Sequence, residues 1–357
     1  MTDDTWNITT VRARQAMRIV QQAIGGGDWE TVKIAHIDTG YTNHCVFHMP
    51  PEAPSGALLA GLGVNYVEAG KPPLDPLTAG LLLFPGHGTR TTGVLCGDKP
   101  GTFVGMAPGV PVIPYRVAET VVLHKETIVN AAKALRHALE QRQAPVISIS
   151  LGVQSVFGNK TQMRQLGRAV DAAYEAGAMV VAACGQTRQN APDLMQVQVY
   201  PSRYSRAVAV AGVNQKRRIC YDYEHDRDWI DVWAPADEIP RPNSLRGGGD
   251  RQCLIEQGGG DGTSYATVHV SAAAAMWLRV RGRELDDGGY AGWRRIEAFR
   301  KLLRTTARPI QGNDVTGGGP VPTDGRGILD CEALLKAPLP PLASLRKQQR
   351  LAENEVD

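Results

Sequence analysis

Short apolar segments rich in β-branched residues alternate with amphipathic segments along most of this chain of 357 residues. The amphipathic segments are predicted helices: 8–24, 88–96, 127–142, 163–176, 263–280 and 293–308. The short apolar segments are predicted strands: 32–37, 110–117, 145–151, 178–183 and 207–213. Because strands joined by helical crossovers run parallel, the pattern predicts a three-layer α/β/α fold around a mainly parallel sheet.

The bulk composition excludes several classes of protein. Hydrophobic residues make up 43% of the chain and charged residues 21%, as in soluble globular proteins. The net charge of +3 is small for this length and gives no basis for nucleic acid or an anionic membrane as a partner. No apolar run is long enough to span a bilayer.

The N-terminus and the cysteines bear on the cellular compartment. Residues 1–15 are acidic and then mixed, without the basic start and apolar core of a signal peptide, so we expect a cytoplasmic protein. Six scattered cysteines include no Cys-x-x-Cys pair and stand at positions 45, 96, 184, 220, 253 and 331. In a reducing compartment this spacing favours free thiols, with one or two disulfides as the alternative.

The pattern divides the chain into three parts. Residues 1–30 form a helical N-terminal extension, which either packs on the body or acts as a short inhibitory segment. Residues 31–335 carry the alternating pattern and form the main domain. Residues 336–357 are rich in proline and then charged, which is typical of a tail or a short exposed helix.

Three short polar segments stand at junctions between predicted elements. Asp38-Thr39-Gly40 follows the first strand, while Gly86–Thr89 and Gly262–Ala266 each open a helix. The carboxyl ends of parallel strands are where such sheets bind ligands. The start of a helix exposes N–H groups that stabilise negative charge. Both kinds of junction are therefore suited to a catalytic site.

The three segments supply the side chains of a nucleophilic hydroxyl site. Ser264 can attack, His87 can take its proton because imidazole titrates near neutral pH, and Asp38 can orient the imidazole. Each segment alone is more typical of a turn or a helix cap. Asp-Thr-Gly also occurs in aspartic peptidases, but those need a second such carboxylate, and the sequence contains none.

In the order Asp, His, Ser, the segments resemble those of the subtilisin-like serine peptidases. The resemblance covers residues 32–335. Lesser matches follow in the family's order: Gly105–Pro108, Ser150–Gly152, Tyr200-Pro201, Asp231–Pro235 and Gly325–Asp330. The resemblance implies a subtilisin-like fold and a serine endopeptidase with Asp38, His87 and Ser264 as its catalytic triad.

The resemblance also implies the residues around the triad. The family's oxyanion-binding Asn corresponds here to Gln186, with one more methylene. Loss of such a donor costs about 3 kcal/mol of transition-state stabilisation, so a catalytically silent binding module is an alternative. The residues expected to bind substrate are Ser150, Leu151, Gly152, Ala183, Cys184, Gly185 and Val199. Val199 replaces a glycine frequent in the family, which predicts a narrow pocket that accepts large aromatic side chains poorly.

The sequence predicts no cofactor and no metal ligand. Calcium sites are common in the family, but the segment after Asp38 lacks a further carboxylate and the loop 97–101 supplies only Asp98. The expected partners are a protein or peptide substrate and a regulatory protein that restrains the enzyme. A peptide cyclase or an esterase that uses the same triad is a second alternative.

Overall fold

The computed structural model describes residues 5–25, 29, 32–47, 58–81, 83–154, 159–185, 199–221, 228–247, 252–315 and 320–350. Its helices are α1 (Trp6–Thr10), α2 (Ala13–Ile24), α3 (His87–Cys96), α4 (Lys125–Glu140), α5 (Lys160–Ala176), α6 (Thr263–Asp287), α7 (Trp293–Thr305) and α8 (Cys331–Lys336). Its strands are β1 (Ile34–Asp38), β2 (Val64–Asn65), β3 (Asp98–Lys99), β4 (Phe103–Val104), β5 (Val112–Arg116), β6 (Val146–Ile149), β7 (Val153–Gln154), β8 (Met179–Ala183), β9 (Val199–Tyr200), β10 (Val208–Val213), β11 (Arg218–Tyr221), β12 (Val232–Pro235), β13 (Arg241–Asn243), β14 (Leu254–Glu256) and β15 (Gly312–Asn313).

A mainly parallel sheet forms the centre of the fold, as the sequence predicts. Within the described residues it has nine strands in the order β15-β11-β10-β8-β6-β1-β5-β2, with β12 paired to β10. The pair β10–β11 is antiparallel, while β1 runs parallel to both of its neighbours, β5 and β6. The first strand of the chain therefore lies inside the sheet, with its carboxyl end between two other strand ends.

Helices cover both faces of the sheet and complete three layers. Successive side chains of a strand point to opposite faces. Ala35 and Ile37 accordingly pack in the cluster formed with α4 and α5, whereas Ile34 packs in the larger cluster that contains α6. The predicted α/β/α architecture is confirmed. None of the described helices is both long and apolar enough to cross a membrane.

The N-terminal extension is part of the body. Helix α2 packs against α6 and α8, and Ile8, Val11 and Val20 are buried in the main core. The backbone joins as well, because the N–H of Cys331 donates to the carbonyl oxygen of Val11 at 2.9 Å. Of the two roles expected for the extension, this packing matches the structural one.

The C-terminal residues also lie on the domain, as far as residue 350. Leu345 is buried, and the N–H of Gln348 donates to the hydroxyl of Tyr174 on α5 at 2.9 Å. The side chain of Tyr290 donates to the carbonyl oxygen of Pro340 at 2.7 Å. Through these contacts, the segment after α8 is held on the body and does not project from it.

The cysteines correct one expectation. Cys45 and Cys253 form a disulfide, with their Cα atoms 5.2 Å apart and 208 residues between them in sequence. The prediction of free thiols throughout was therefore wrong for this pair. It holds for Cys96 and Cys331, which are free thiols. Spacing along the chain could not reveal the bridge, because only the tertiary fold brings the two segments together.

Candidate active site

Asp38 is the last residue of β1 and is buried at the carboxyl edge of the sheet. Its Oδ1 atom accepts hydrogen bonds from the N–H of Thr39 and from Nδ1 of His87, both at 2.7 Å. Its Oδ2 atom accepts from the hydroxyl of Thr91 at 3.0 Å and lies 3.2 Å from Nε2 of His36. Donors thus surround both oxygens of the carboxylate.

These donors keep Asp38 ionised. Burial alone would raise the pKa of Asp38, since it penalises the charged form. The opposing effects, led by the charge of His87 and by hydrogen bonds from His36 and His87, are larger together. They hold the pKa of Asp38 well below its usual range, so the carboxylate can orient an imidazole across the working pH range of a peptidase.

His87 is the first residue of α3, and a close backbone approach fixes its position. Gly86, before it, has a φ of 74°, in the left-handed region that favours glycine. A Cβ atom on Gly88, after it, would collide with the carbonyl oxygen of Gly40, so the Asp and His segments touch through their glycines. The sequence predicts both segments as site residues, and the fold brings them together.

Asp75 joins the same two segments, and the sequence analysis missed it. Its Oδ2 atom accepts from the hydroxyl of Thr39 at 2.9 Å and from the N–H of Gly86 at 2.8 Å. Its Oδ1 atom accepts from the N–H of Leu77 at 2.9 Å. No sequence signal marks an isolated Asp in a Pro-rich loop. His36, in contrast, is a polar residue inside an apolar strand and could have been noticed.

Ser264 lies in the first turn of α6, after Gly262, whose φ of 125° also favours glycine. Its hydroxyl donates to the carbonyl oxygen of Ser150 at 2.8 Å, and the hydroxyl of Ser150 donates to the carbonyl oxygen of Ser264 at 3.2 Å. A hydroxyl has one proton. In this arrangement Ser264 therefore does not donate to Nε2 of His87.

The helices that carry His87 and Ser264 pack against each other. Burial raises the pKa of Tyr265, the neighbour of Ser264, and the charges of Arg90 on α3 and of Asp38 also act on this phenol. The nucleophile segment is thus within electrostatic reach of the Asp–His pair.

The residues predicted to bind substrate lie at or just beyond the carboxyl ends of β6 and β8, and in β9. Gly185 accepts a hydrogen bond at 2.9 Å from the hydroxyl of Thr263, beside Ser264. Ala183 ends β8 and pairs with Val210, and the N–H of Cys184 donates to the carbonyl of that same residue at 3.0 Å. Leu151 is buried within the α4–α5 cluster. The predicted oxyanion donor, Gln186, lies outside the described residues.

Gly152 lies just before β7, which pairs in antiparallel fashion with β9, the strand that carries Val199. A Cβ on Gly152 would collide with the side chain of Val199, which is buried. The N–H of Gly152 donates to the carbonyl of Val121 at 3.1 Å, and its carbonyl accepts from the N–H of Leu123 at 2.7 Å. Both backbone groups of this predicted substrate residue are therefore bonded within the chain.

The described residues contain no group of three His, Cys, Asp or Glu side chains placed to hold a metal ion. The carboxylate of Asp38 holds the imidazole of His87 on α3, and α6, which packs against α3, carries Ser264 in its first turn. An oriented imidazole and a serine hydroxyl are the groups that general-base activation of a nucleophile uses.

Comparison with known proteins agrees with this chemistry. The profile of the subtilase family matches residues 29–327. Thermitase from Thermoactinomyces vulgaris is 31% identical over 231 residues, which cover 64% of this chain and 69% of thermitase. Subtilisin BL from Lederbergia lenta is 26% identical over 315 residues, or 88% of this chain and 95% of that protein.

A solved structure shows the same fold at lower identity. The crystal structure of MycP1 with its N-terminal propeptide removed superposes with a TM-score of 0.62 at 21% identity, and the match covers 95% of this chain and 100% of the other. The family profile, the curated relatives and the fold together establish that this chain belongs to the subtilase family and is a serine-type endopeptidase.

Proposed function

We propose that the chain cleaves peptide bonds through an acyl-enzyme, with Asp38, His87 and Ser264 as its triad. The observation that carries this proposal is the 2.7 Å hydrogen bond between Oδ1 of Asp38 and Nδ1 of His87. It leaves Nε2 as the basic nitrogen of the neutral imidazole. A base oriented in this way is what a serine nucleophile needs.

The reaction has two steps in which protons and bonds balance. Oγ of Ser264 attacks the carbonyl carbon while its proton moves to Nε2 of His87. The same proton passes to the leaving amine as the peptide bond breaks, which leaves an ester on Ser264. A water molecule then gives its proton to His87 and attacks the ester, and the carboxylic acid product leaves with Oγ protonated again.

The negative charge on the oxygen of the tetrahedral intermediate must be stabilised by hydrogen-bond donors. The backbone N–H of Ser264 lies in the first turn of α6, where N–H groups have no partner within the helix. The positive end of the helix dipole favours negative charge at this point. We propose this N–H as one oxyanion donor and the side-chain amide of Gln186 as the other.

Ser264 must first leave the carbonyl of Ser150. We propose that substrate binding releases it, because a peptide that pairs with the segment 150–152 brings a backbone N–H that competes for the same carbonyl oxygen. The bonds of Gly152 to Val121 and Leu123 must open in the same event if the peptide pairs with Gly152. Substrate binding would then free both the hydroxyl of Ser264 and the backbone of the segment 150–152.

The substrate class is protein or peptide, and a regulatory partner that restrains the enzyme stays a prediction. The cytoplasmic location expected from the N-terminus is less well supported, because stable disulfides persist in oxidising compartments. We propose that the bridge between Cys45 and Cys253 forms in such a compartment. Alkylation of free thiols in freshly lysed cells, followed by mass spectrometry, tests whether this pair is oxidised.

Labelling with a fluorophosphonate probe tests the triad. The wild type should be labelled at Ser264 and should hydrolyse a peptide library, whereas Ser264→Ala should do neither. Absence of labelling in the folded wild type would favour a silent binding module. Product masses that show cyclised or transferred ends in place of hydrolysed ends would favour a cyclase.

A further inference from the structure

His36 is a buried histidine on the same strand as the catalytic carboxylate. Residues two apart in a strand point to the same face, so His36 and Asp38 share a face of β1. The residue is 2% exposed. Its Nε2 atom lies 2.9 Å from the hydroxyl oxygen of Thr91 and 3.2 Å from Oδ2 of Asp38.

The partners of the ring fix the position of its proton. A carboxylate oxygen can only accept, so the nitrogen that contacts Asp38 carries a proton. That proton lies between Oδ2 and the hydroxyl oxygen of Thr91, whose nearest acceptor is Oδ2 at 3.0 Å, ahead of the carbonyl oxygens of His87 and Gly88 at 3.1 and 3.2 Å. The other ring nitrogen, Nδ1, has no hydrogen-bond partner among the residues that the structure describes.

Packing alone does not explain this side chain. The other residues of β1 before Asp38 are apolar, and Ile34, Ala35 and Ile37 fill the two cores. A buried polar atom without a partner destabilises the folded protein, and an aliphatic residue at position 36 would avoid that cost. The gain that offsets this cost must lie in the one bonded nitrogen, and that nitrogen faces Asp38.

We propose that His36 is a positioning residue of the active site, which acts with Thr91 to hold Oδ2 of Asp38 so that Oδ1 stays on Nδ1 of His87. The inference rests on the proposed function. Without the two donors on Oδ2, the carboxylate can rotate about its Cβ–Cγ bond. The hydrogen bond to His87 would then lose the geometry that keeps the imidazole aligned for proton transfer.

Two substitutions at position 36 separate this role from packing. His36→Leu removes the donor, whereas His36→Gln keeps an N–H donor at a similar reach. We expect kcat of His36→Leu to fall by about 30-fold with KM within about twofold of the wild type, because misplaced catalytic groups cost up to about 100-fold. His36→Gln should recover kcat to within about fivefold of the wild type.

Rates are expressed per active site titrated with the fluorophosphonate, so that unfolded protein does not count. His137→Leu is the matched control, because His137 also bonds one side chain, the hydroxyl of Tyr115 at 3.0 Å, away from the triad. It should keep the wild-type kcat. Equal losses of kcat in the Leu and Gln variants, or a lower unfolding temperature with an unchanged kcat, would overturn the proposal.

A readout that needs no turnover separates this proposal from the proposed function. The proton between Asp38 and His87 should give a low-field imidazole signal in the proton NMR spectrum. We expect the signal in the wild type and in His36→Gln, and its loss or broadening in His36→Leu. A folded wild type with the signal but without peptidase activity would refute the proposed function alone. An unchanged signal in His36→Leu would refute the role of His36.

Discussion

The two halves of the proposed triad are held in different ways. On the base side, four donors surround the carboxylate of Asp38, and Asp75 ties the segments of Asp38 and His87 together. On the nucleophile side, Ser264 is bonded to the carbonyl of Ser150, and Gly152 is bonded to its own chain. The Asp38–His87 pair is therefore in place without substrate. The hydroxyl of Ser264 and the backbone of Gly152, in contrast, are hydrogen-bonded to other parts of the chain.

The difference teaches how such a site can be ready without being exposed. Orientation of a general base costs nothing at the moment of reaction when its partners are already in place. A hydroxyl that donates to a backbone carbonyl is a poorer nucleophile until a competing donor arrives. Changes on the base side should therefore lower turnover most, and changes around the nucleophile should alter stability or selectivity.

Among substitutions that leave the nucleophile in place, Asp38→Asn should have the largest effect, because it removes the carboxylate that orients the base. An amide cannot accept all of the hydrogen bonds that the carboxylate takes, and it favours the wrong tautomer of His87. We expect kcat to fall by about 10⁴-fold. Steady-state kinetics per folded protein measures the change, with the exposed Asp287→Asn as control. A loss below about tenfold would mean that Asp38 does not orient the base.

A second change breaks the covalent link between the two halves. Cys45 follows the Asp38 segment, and Cys253 lies just before β14, in the stretch that leads to the nucleophile. Two backbone bonds of 2.8 Å, between residues 43 and 252 and between residues 45 and 252, accompany the bridge. Since a bridge over so long a loop restricts the unfolded chain strongly, Cys45→Ser with Cys253→Ser should cost about 4 kcal/mol of unfolding free energy.

Denaturant unfolding with and without a reducing agent measures this cost. Reduction should lower the midpoint of the wild type to that of the double variant, and it should leave the double variant unchanged. If the double variant unfolds at the same denaturant concentration as the oxidised wild type, the bridge contributes nothing to stability.

A third prediction concerns pH and the helix below Ser264. Burial lowers the pKa of His269 to about 4, although the hydrogen bond to the carbonyl of Tyr265 opposes the shift. In the unfolded chain the pKa of this histidine is about 6.5. Between the two pKa values the unfolded chain therefore binds a proton that the folded protein does not. Stability should thus be complete above about pH 6.5 and fall as the pH drops toward about 4, by about 3 kcal/mol from this residue.

His269→Gln tests the origin of that loss. Urea unfolding at neutral pH and at a pH just above the folded pKa should show a smaller difference for the variant than for the wild type. The control is His124→Gln, the same substitution at an exposed histidine. It should leave the stability difference between the two pH values as it is in the wild type. Equal pH dependence in His269→Gln and the wild type would contradict the assignment. Nε2 of His269 lies 3.0 Å from Nδ2 of Asn7, so this ring links α6 to the N-terminal extension. The result would show whether α6 is the part of the protein that acid destabilises.

The sequence predicted what depends on local periodicity and on element ends. The order of strands and helices, the sheet, and the positions of Asp38, His87 and Ser264 at junctions all follow from patterns within short windows. Contacts between distant segments could not be read in this way. Asp75 and Thr91 are ordinary polar residues until the fold places them on the Asp and His segments. The disulfide is hidden for the same reason.

The smallest predicted effect concerns selectivity on the nucleophile side. Val199 packs against Gly152, and the sequence predicts that a side chain at this position narrows the pocket for the residue before the scissile bond. Val199→Gly removes the whole side chain, and a change of this size in an apolar pocket is worth about 1–2 kcal/mol. We expect the ratio of kcat/KM for Phe over Ala at the residue before the scissile bond to rise about tenfold, while kcat for the Ala substrate stays within about threefold of the wild type.

Peptide substrates that differ only at this residue measure the ratio. The control for replacing a buried side chain by glycine is Ala132→Gly on α4, which is not among the residues predicted to bind substrate. It should leave the ratio unchanged. A wild type that already prefers Phe would show that Val199 does not limit the pocket. In that case the residues predicted to bind substrate would not set selectivity. The two halves of the proposed triad would then differ only in how their own side chains are hydrogen-bonded.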